Sequence, residues 1–328
     1  MNWNGLAGNS AVKEMLSGYV DSGRFPHALL LEGPVGSGRR SFARWMARAA
    51  VCLAESGGKP CGGCAGCHKA EAGTHPDIQE IEGEGKSHII PVDVIRSLRE
   101  QAYIRPNEAP RRTIIITGSE DMNEAAQNAL LKVLEEPPAH VVFILTCENR
   151  SQMLSTIQSR ALCVTLSGVE EDEGWPVVCR HLPGQSEEDA RRALRLFGGS
   201  IGRAIEGLQG GHLTDVIDQT AALAEALVLP NELPLLQLAA GMDKSIWDGV
   251  LRGLQLAARD ALAGGVQAVA PQSPSPKATA CLAGGLTRPQ LMALVDTVEE
   301  LVRFRQRHMN PTLFSVVAAA RLRQAAGK

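Results

Sequence analysis

Three short apolar runs constrain the fold of this chain more than any other feature: "HALLLEG" at His27–Gly33, "RTIIIT" at Arg112–Thr117 and "HVVFILT" at His140–Thr146. Runs of this kind are typical of strands buried on both faces, as in a parallel sheet. Helical patterns separate them. Val12, Met15, Leu16, Tyr19 and Val20 recur at helical spacing across 10–23, behind Ser10 as a cap. Phe42, Trp45, Met46 and Ala50 mark one face of 39–53. "PVDVIRSLREQA" opens on a proline, and "NEAAQNALLKVLEE" is stopped by Pro137 and Pro138. Two weaker strands, "DIQEI" and "ALCVTL", and a short helix at "SQMLSTIQS" complete the series. The alternation predicts an α/β fold over residues 1–166, a parallel sheet with helices on both sides.

After residue 166 the strands stop. Residues 167–210 read as a small helical module, with "SEEDARRALRLFGGSIGRAIEGL" as two helices broken at Gly198-Gly199-Ser200. Residues 211–328 read as an all-α domain. Within it, the Pro/Ser/Gly-rich segment at about 265–285, "GGVQAVAPQSPSPKATACLAGG", is expected to be a loop between helices.

Composition narrows the function classes. Hydrophobic content of 44% and charged content of 21% are those of an ordinary globular protein, and 328 residues are enough for two or three domains. A net charge of -3 excludes a global positive field for nucleic acid, and 4% aromatic residues argue against binding single strands by stacking. The N-terminus lacks the basic start and apolar stretch of a signal peptide, and no apolar run is long enough to span a bilayer. The expected location is the cytoplasm, with no membrane. Eight cysteines there point to metal or free thiols.

"LLLEGPVGSGRRS" lies between the first strand and the second helix. It has the glycines of a phosphate loop, Gly33, Gly36 and Gly38, but Arg39 and Arg40 stand where a lysine and a magnesium-binding hydroxyl belong. Arg39 keeps the charge but not the compact ammonium. Arg40 puts a cation in place of a metal ligand. Ser41 comes one residue late, which turns its side chain by about 100° on a helix. The strand "RTIIIT" should end in acidic residues that manage magnesium and water. Thr117 and Gly118 occupy that end, and Glu120 and Asp121 come later, where they suit a helix start. A tight turn without ligand is the first reading, ADP or ATP binding without turnover the second, and hydrolysis the third.

Cys52, Cys61, Cys64 and Cys67 have the spacing C-x8-C-x2-C-x2-C, with small residues between them. Four thiolates at such turns suit a structural Zn²⁺ ion, with no position left for water. An iron–sulfur cluster is the rival, without an evident redox partner. His75 is a substitute candidate for Cys52, whereas His68 follows Cys67 too closely to reach the same centre. Cys147, Cys163, Cys179 and Cys281 read as packing residues.

"GRFPHALLLEGPVGSGR", "NALLKVLEEPP" and "STIQSRA", in that order, resemble the AAA+ subunits of the bacterial clamp loader of DNA polymerase III. The resemblance covers about the first 205 residues well and the C-terminus loosely, through "NPTLFSVVAAARLR". It implies a AAA+ module, a small helical lid and a helical collar that assembles a ring. The defective loop points to the delta-prime branch and not to the ATP-hydrolysing tau/gamma branch. The resemblance also implies a zinc module with the four cysteines as ligands. It makes Arg160, in "SRA", the arginine that reaches the γ-phosphate of ATP in a neighbouring subunit; Ala161 replaces the motif's cysteine. Arg203 falls where active relatives place a lid arginine that contacts nucleotide, although here a surface or interface contact is the better reading.

Other basic residues carry weaker signals. His27 has no nucleophile beside it. Arg111 and Arg112 read by default as a solvated pair, and Arg303, Arg305 and Arg307 spread around a helix. The expected function is a non-hydrolysing clamp-loader subunit. Its partners would be tau/gamma and delta subunits, with the sliding clamp and primed DNA reached through the assembly. An active tau/gamma-like ATPase using Arg39, Ser41, Glu120 and Asp121, and a zinc-containing DNA-binding adaptor, are the alternatives.

Overall fold

A computed structural model describes residues 3, 5–55, 58–83, 89–243, 245–264, 271–305 and 311–327. The chain divides into two compact units, Met1–Val169 and Glu170–Lys328.

The first unit runs α1 (Ser10–Asp21), β1 (Ala28–Glu32), α2 (Arg39–Ala50), α3 (Ala65–Glu71), β2 (Ile78–Glu82), α4 (Val92–Ala102), β3 (Arg112–Thr117), α5 (Glu124–Glu135), β4 (Val141–Cys147), α6 (Ser155–Gln158) and β5 (Leu162–Thr165). Its strands pair in parallel in the order β2-β3-β4-β1-β5. The apolar runs become β1, β3 and β4, and β4 is buried along its whole length. Alternate side chains serve two cores, as the period of two requires. Leu29, Leu31, Ile115, Val142 and Ile144 pack with α1 and α2. Leu30, Ile114, Ile116, Phe143 and Leu145 pack with α4 and α5 on the other face. The fold is therefore the expected α/β sandwich of helices about a parallel sheet.

The sheet's topology places the strand C-termini along one edge, where α2 also begins. The turn from β1 into α2 needs its glycines. A Cβ on Gly33 would stand 2.7 Å from both the Leu166 carbonyl oxygen and Ser37 Oγ. Gly38 takes φ 90° to cap α2, a conformation that costs other residues strain.

The second unit is helical among its described residues: α7 (Glu171–His181), α8 (Glu187–Leu196), α9 (Ile201–Gln209), α10 (His212–Val228), α11 (Leu233–Gly241), α12 (Trp247–Ala263), α13 (Pro276–Gly285), α14 (Arg288–Arg305) and α15 (Pro311–Ala325). One core runs through it from Val178 to Ala326, with Trp247 set edge-on to Phe314 at 5.4 Å. The break at Gly198-Gly199-Ser200 separates α8 from α9, and Ser200 caps α9 by accepting from the Arg203 N–H.

The expected loop at 265–285 is corrected in part. Residues 276–285 form α13, with Ser275 Oγ accepting from the Ala278 N–H and Pro276 at the first helical position. Proline there starts a helix because its missing N–H is one that a helix leaves unpaired anyway. Residues 265–270 lie outside the described residues, as does Arg307. No helix among the described residues is long and apolar enough to cross a membrane.

The helix α5 carries the motif "NALLKVLEE" on a capped start, in which Asn123 Oδ1 accepts from the Ala126 N–H at 2.9 Å. Replacing Asn123 with Ala is expected to cost about 1 kcal/mol of stability. Urea denaturation of the full chain measures it.

Candidate functional site

The phosphate-type loop is built as a tight turn, and Arg39 and Arg40 both face carboxylates of the chain, although Arg39 Nη1 is buried with no hydrogen-bond partner among the described residues. Helix α2 has no acidic residue in its first turn, although a helix N-terminus favours carboxylates. Two guanidinium groups stand there instead. Arg39 lies between Glu120, just past β3, and Glu148, just past β4, with nitrogen–oxygen separations of 3.8 Å to each. Glu120 is well buried, and its Oε1 accepts the Glu148 N–H at 2.7 Å. Burial is the main influence on the Glu120 carboxyl and pushes its pKa up; the Arg39 guanidinium opposes this without overcoming it.

Arg40 turns the other way. It reaches Glu80 and, at 2.6 Å, Glu82 on the edge strand β2. Arg44, one turn later, shares Glu80 at 2.8 Å. Burial pushes the Glu80 carboxyl up, but the two arginines outweigh it and hold the pKa below the usual carboxylate range. Ser41 is exposed on α2, and the buried Ser37 Oγ has no hydrogen-bond partner.

The end of β3 offers no carboxylate. Thr117 Oγ1 is buried without a partner, and Gly118 donates its N–H to Thr146 Oγ1 at 3.2 Å. Glu120 belongs to a short 3-10 turn, Ser119–Asp121, ahead of α5. The structure thus brings Arg39 and Glu120 together but as an ion pair, with Ser41 away from both. The partners Glu148, Glu80 and Glu82 belong to no motif, and sequence reasoning had no signal for them.

Arg160 follows α6. It donates to the Thr156 carbonyl oxygen at 3.0 Å and pairs with Glu135, at the end of α5, at 3.0 Å. Half of the Glu135 side chain is exposed, so water screens this pair and it holds Arg160 weakly. In the helical unit, Arg203 pairs with Asp248 at 3.2 Å, and Arg305 takes the other oxygen of that carboxylate at 2.7 Å. Arg111 donates to the Gly23 carbonyl oxygen and lies over the Phe25 ring, and Arg112 donates to the Gln101 carbonyl oxygen. These two arginines fasten chain segments and are not a solvated pair.

The four cysteines converge. Cys52 follows α2, Cys61 and Cys64 lie in the next loop, and Cys67 is in α3. Their sulfurs all lie within 4.8 Å of one another, with Cys52–Cys64 at 4.0 Å and Cys61–Cys67 at 3.9 Å. A tetrahedral tetrathiolate with bonds of about 2.3 Å has sulfur–sulfur edges of about 3.8 Å, so the cluster can hold one metal ion. Cys64 Sγ accepts the Cys67 N–H at 3.4 Å, and Cys52 Sγ accepts the Cys61 N–H at 3.4 Å. Burial pushes the Cys64 thiol up, but the backbone N–H groups of Leu53 and Cys67 outweigh it and bring the pKa down to about 6. Burial pushes Cys67 up to about 12. His75 is not in the group: its Nδ1 accepts the Asp77 N–H at 3.0 Å.

Comparison with known proteins gives one family model, "DNA polymerase III, delta subunit", matching residues 8–170. DNA polymerase III subunit delta' of Escherichia coli (strain K12) is 32% identical over 197 residues, 60% of this chain and 59% of that protein. The subunit delta' of Pseudomonas aeruginosa is 34% identical over 226 residues, 68% of this chain and 66% of that protein. The chain thus matches less than two thirds of the length of the curated delta' relatives. DNA polymerase III subunit gamma/tau of Mycobacterium bovis is 36% identical over 155 residues, 47% of this chain and 27% of that protein.

The buried Glu120 gives a pH test. Its raised pKa means that its protonated form contributes stability fully below the unfolded carboxylate value, and that this contribution is lost as pH rises through the folded value. Glu120→Gln keeps the neutral state at every pH. The variant is expected to have the higher urea midpoint at pH 7, with the difference from the parent shrinking as pH falls to 4.

Proposed function

On the premise that this chain belongs to the delta-prime family of AAA+ clamp-loader subunits of DNA polymerase III, we propose that it is a non-hydrolysing member. In this reading it acts in a ring with gamma/tau-type and delta-type subunits that places a sliding clamp on primed DNA. Residues 167–210 serve as the lid and 211–328 as the collar. The cysteine cluster holds a structural zinc ion through Cys52, Cys61, Cys64 and Cys67, which staples the 52–67 segment to the end of α2. A bound zinc would supply cross-linking and no reaction chemistry, since four thiolates leave no open position.

The observation that carries the reading is the contrast between two arginines. Arg39, at the phosphate loop, is largely buried between two carboxylates of its own chain. Arg160 is more exposed, and its carboxylate partner Glu135 is half exposed and screened by water. Two carboxylates near Arg39 offset part of its charge, and Arg40 occupies the magnesium-ligand position with a second cation. A weakly held guanidinium can exchange its partner for a phosphoryl oxygen. Supplied in trans, it stabilises charge on the transferred group. This division of labour favours a subunit that serves a neighbour's ATP. It counts against the hydrolysing alternative, whose proposed acid Glu120 is tied to Arg39.

Arg160→Ala is expected to leave folding and assembly intact and to lower the ATPase rate of a loader reconstituted with a gamma/tau-type subunit. At the one ATP site that it serves, the loss should be on the order of 10³ in rate. An unchanged single-turnover rate would refute the trans role.

A further inference from the structure

Beside the cysteine cluster stands a cation that neither the fold nor the proposed function uses. Arg48 lies in the last turn of α2, four residues before Cys52. Its guanidinium reaches the cysteine loop: Nη2 is 3.7 Å from where a Cβ on Gly62 would stand. The same nitrogen donates to Glu71 Oε2 at 3.1 Å. That carboxylate is 61% exposed, so the pair is screened by water. The Nε–H of Arg48 is buried and has no hydrogen-bond partner. An orphaned buried donor costs on the order of 1–3 kcal/mol, and nothing in the protein chain offsets it.

The cluster has the complementary problem. Cys52 and Cys67 are fully buried. Four thiolates around a divalent cation carry two net negative charges, and buried charge is unfavourable unless a counter-charge or hydrogen bonds meet it. Two backbone N–H groups already reach Cys52 and Cys64. Lys69, on the neighbouring α3, is committed to Glu108 at 2.6 Å. Among the described residues, Arg48 is a cation beside the cluster that retains a buried, unpartnered donor.

We propose that Arg48 is the charge-balancing residue of the metal site, a positioning residue that holds no coordinate bond. Its guanidinium lies against the cysteine loop, steadied by Glu71, and supplies positive charge beside the metal-bound thiolates. This rests on the reading of the cluster as a zinc site. Partners of metal ligands typically change affinity by about 10- to 100-fold.

The test uses the full chain purified without chelator. Zinc content is measured by elemental analysis, and the rate of zinc release to a chromogenic chelator is followed in the parent, Arg48→Met, Arg48→Lys and Arg44→Gln. Methionine keeps the aliphatic stem without the charge, lysine keeps the charge without the planar guanidinium, and Arg44 faces Glu80 and serves as control. The proposal expects one zinc per chain, release at least about tenfold faster from Arg48→Met, an intermediate rate from Arg48→Lys, and an unchanged rate from Arg44→Gln. A zinc-loaded parent with a parental rate in Arg48→Met overturns the role of Arg48 alone. A parent without bound metal overturns the zinc reading and this inference with it. If Arg48→Met does not fold, Arg48→Lys decides: a parental rate there refutes the assignment.

Discussion

Charge at the start of α2 is the constraint to which the rest of the site answers. A helix N-terminus is already electropositive, and this one adds Arg39 and Arg40 with no acidic residue in its first turn. Left alone, such a terminus would repel itself or demand an anion. The parallel sheet supplies the answer from within, because its strands all end along the edge where α2 begins. Glu80 and Glu82 come from β2, Glu120 from beyond β3 and Glu148 from beyond β4. The topology that elsewhere presents a phosphate site to ligand here brings carboxylates to the same place.

The same pairing recurs at Arg203 and Arg160, with differences in burial. Arg203 shares Asp248 with Arg305, and Arg160 has the exposed Glu135. Screened pairs are weak and exchangeable. The Arg39 side chain is 15% exposed and that of Arg160 35%, so Arg160 is the more accessible of the two to a new partner.

Much of this was legible in the sequence. The runs at β1, β3 and β4 and the proline-stopped helix α5 carried periodicities that tertiary packing did not override, and C-x2-C spacing brought four sulfurs to one point. The cation-for-lysine change at Arg39 and the missing acid at Thr117 were visible because both fall inside motifs. What escaped has a physical explanation. The helix α3 is hidden in a Gly/Cys-rich stretch whose local propensity is poor, and Cys64 caps it only once the chain has turned, its sulfur accepting from the Cys67 N–H. In α13, Ser275 and Pro276 read as breakers when they are a cap and a first turn. The counter-ions Glu80, Glu82, Glu148 and Glu135 sit far along the chain from their arginines, and long-range ion pairs leave no periodicity behind. Arg48 is of the same kind: its buried Nε and its place beside Gly62 emerge only with the loop folded.

A phosphate loop whose charge is met by carboxylates of its own chain should not take up magnesium–ATP. The direct measurement is calorimetric titration of the isolated protein with magnesium–ATP, paired with a phosphate-release assay on the same sample. Internal neutralisation of Arg39, with a guanidinium at the metal-ligand position, predicts no saturable magnesium-dependent binding and no phosphate release. Stoichiometric binding of magnesium–ATP with steady turnover by the isolated chain would contradict it.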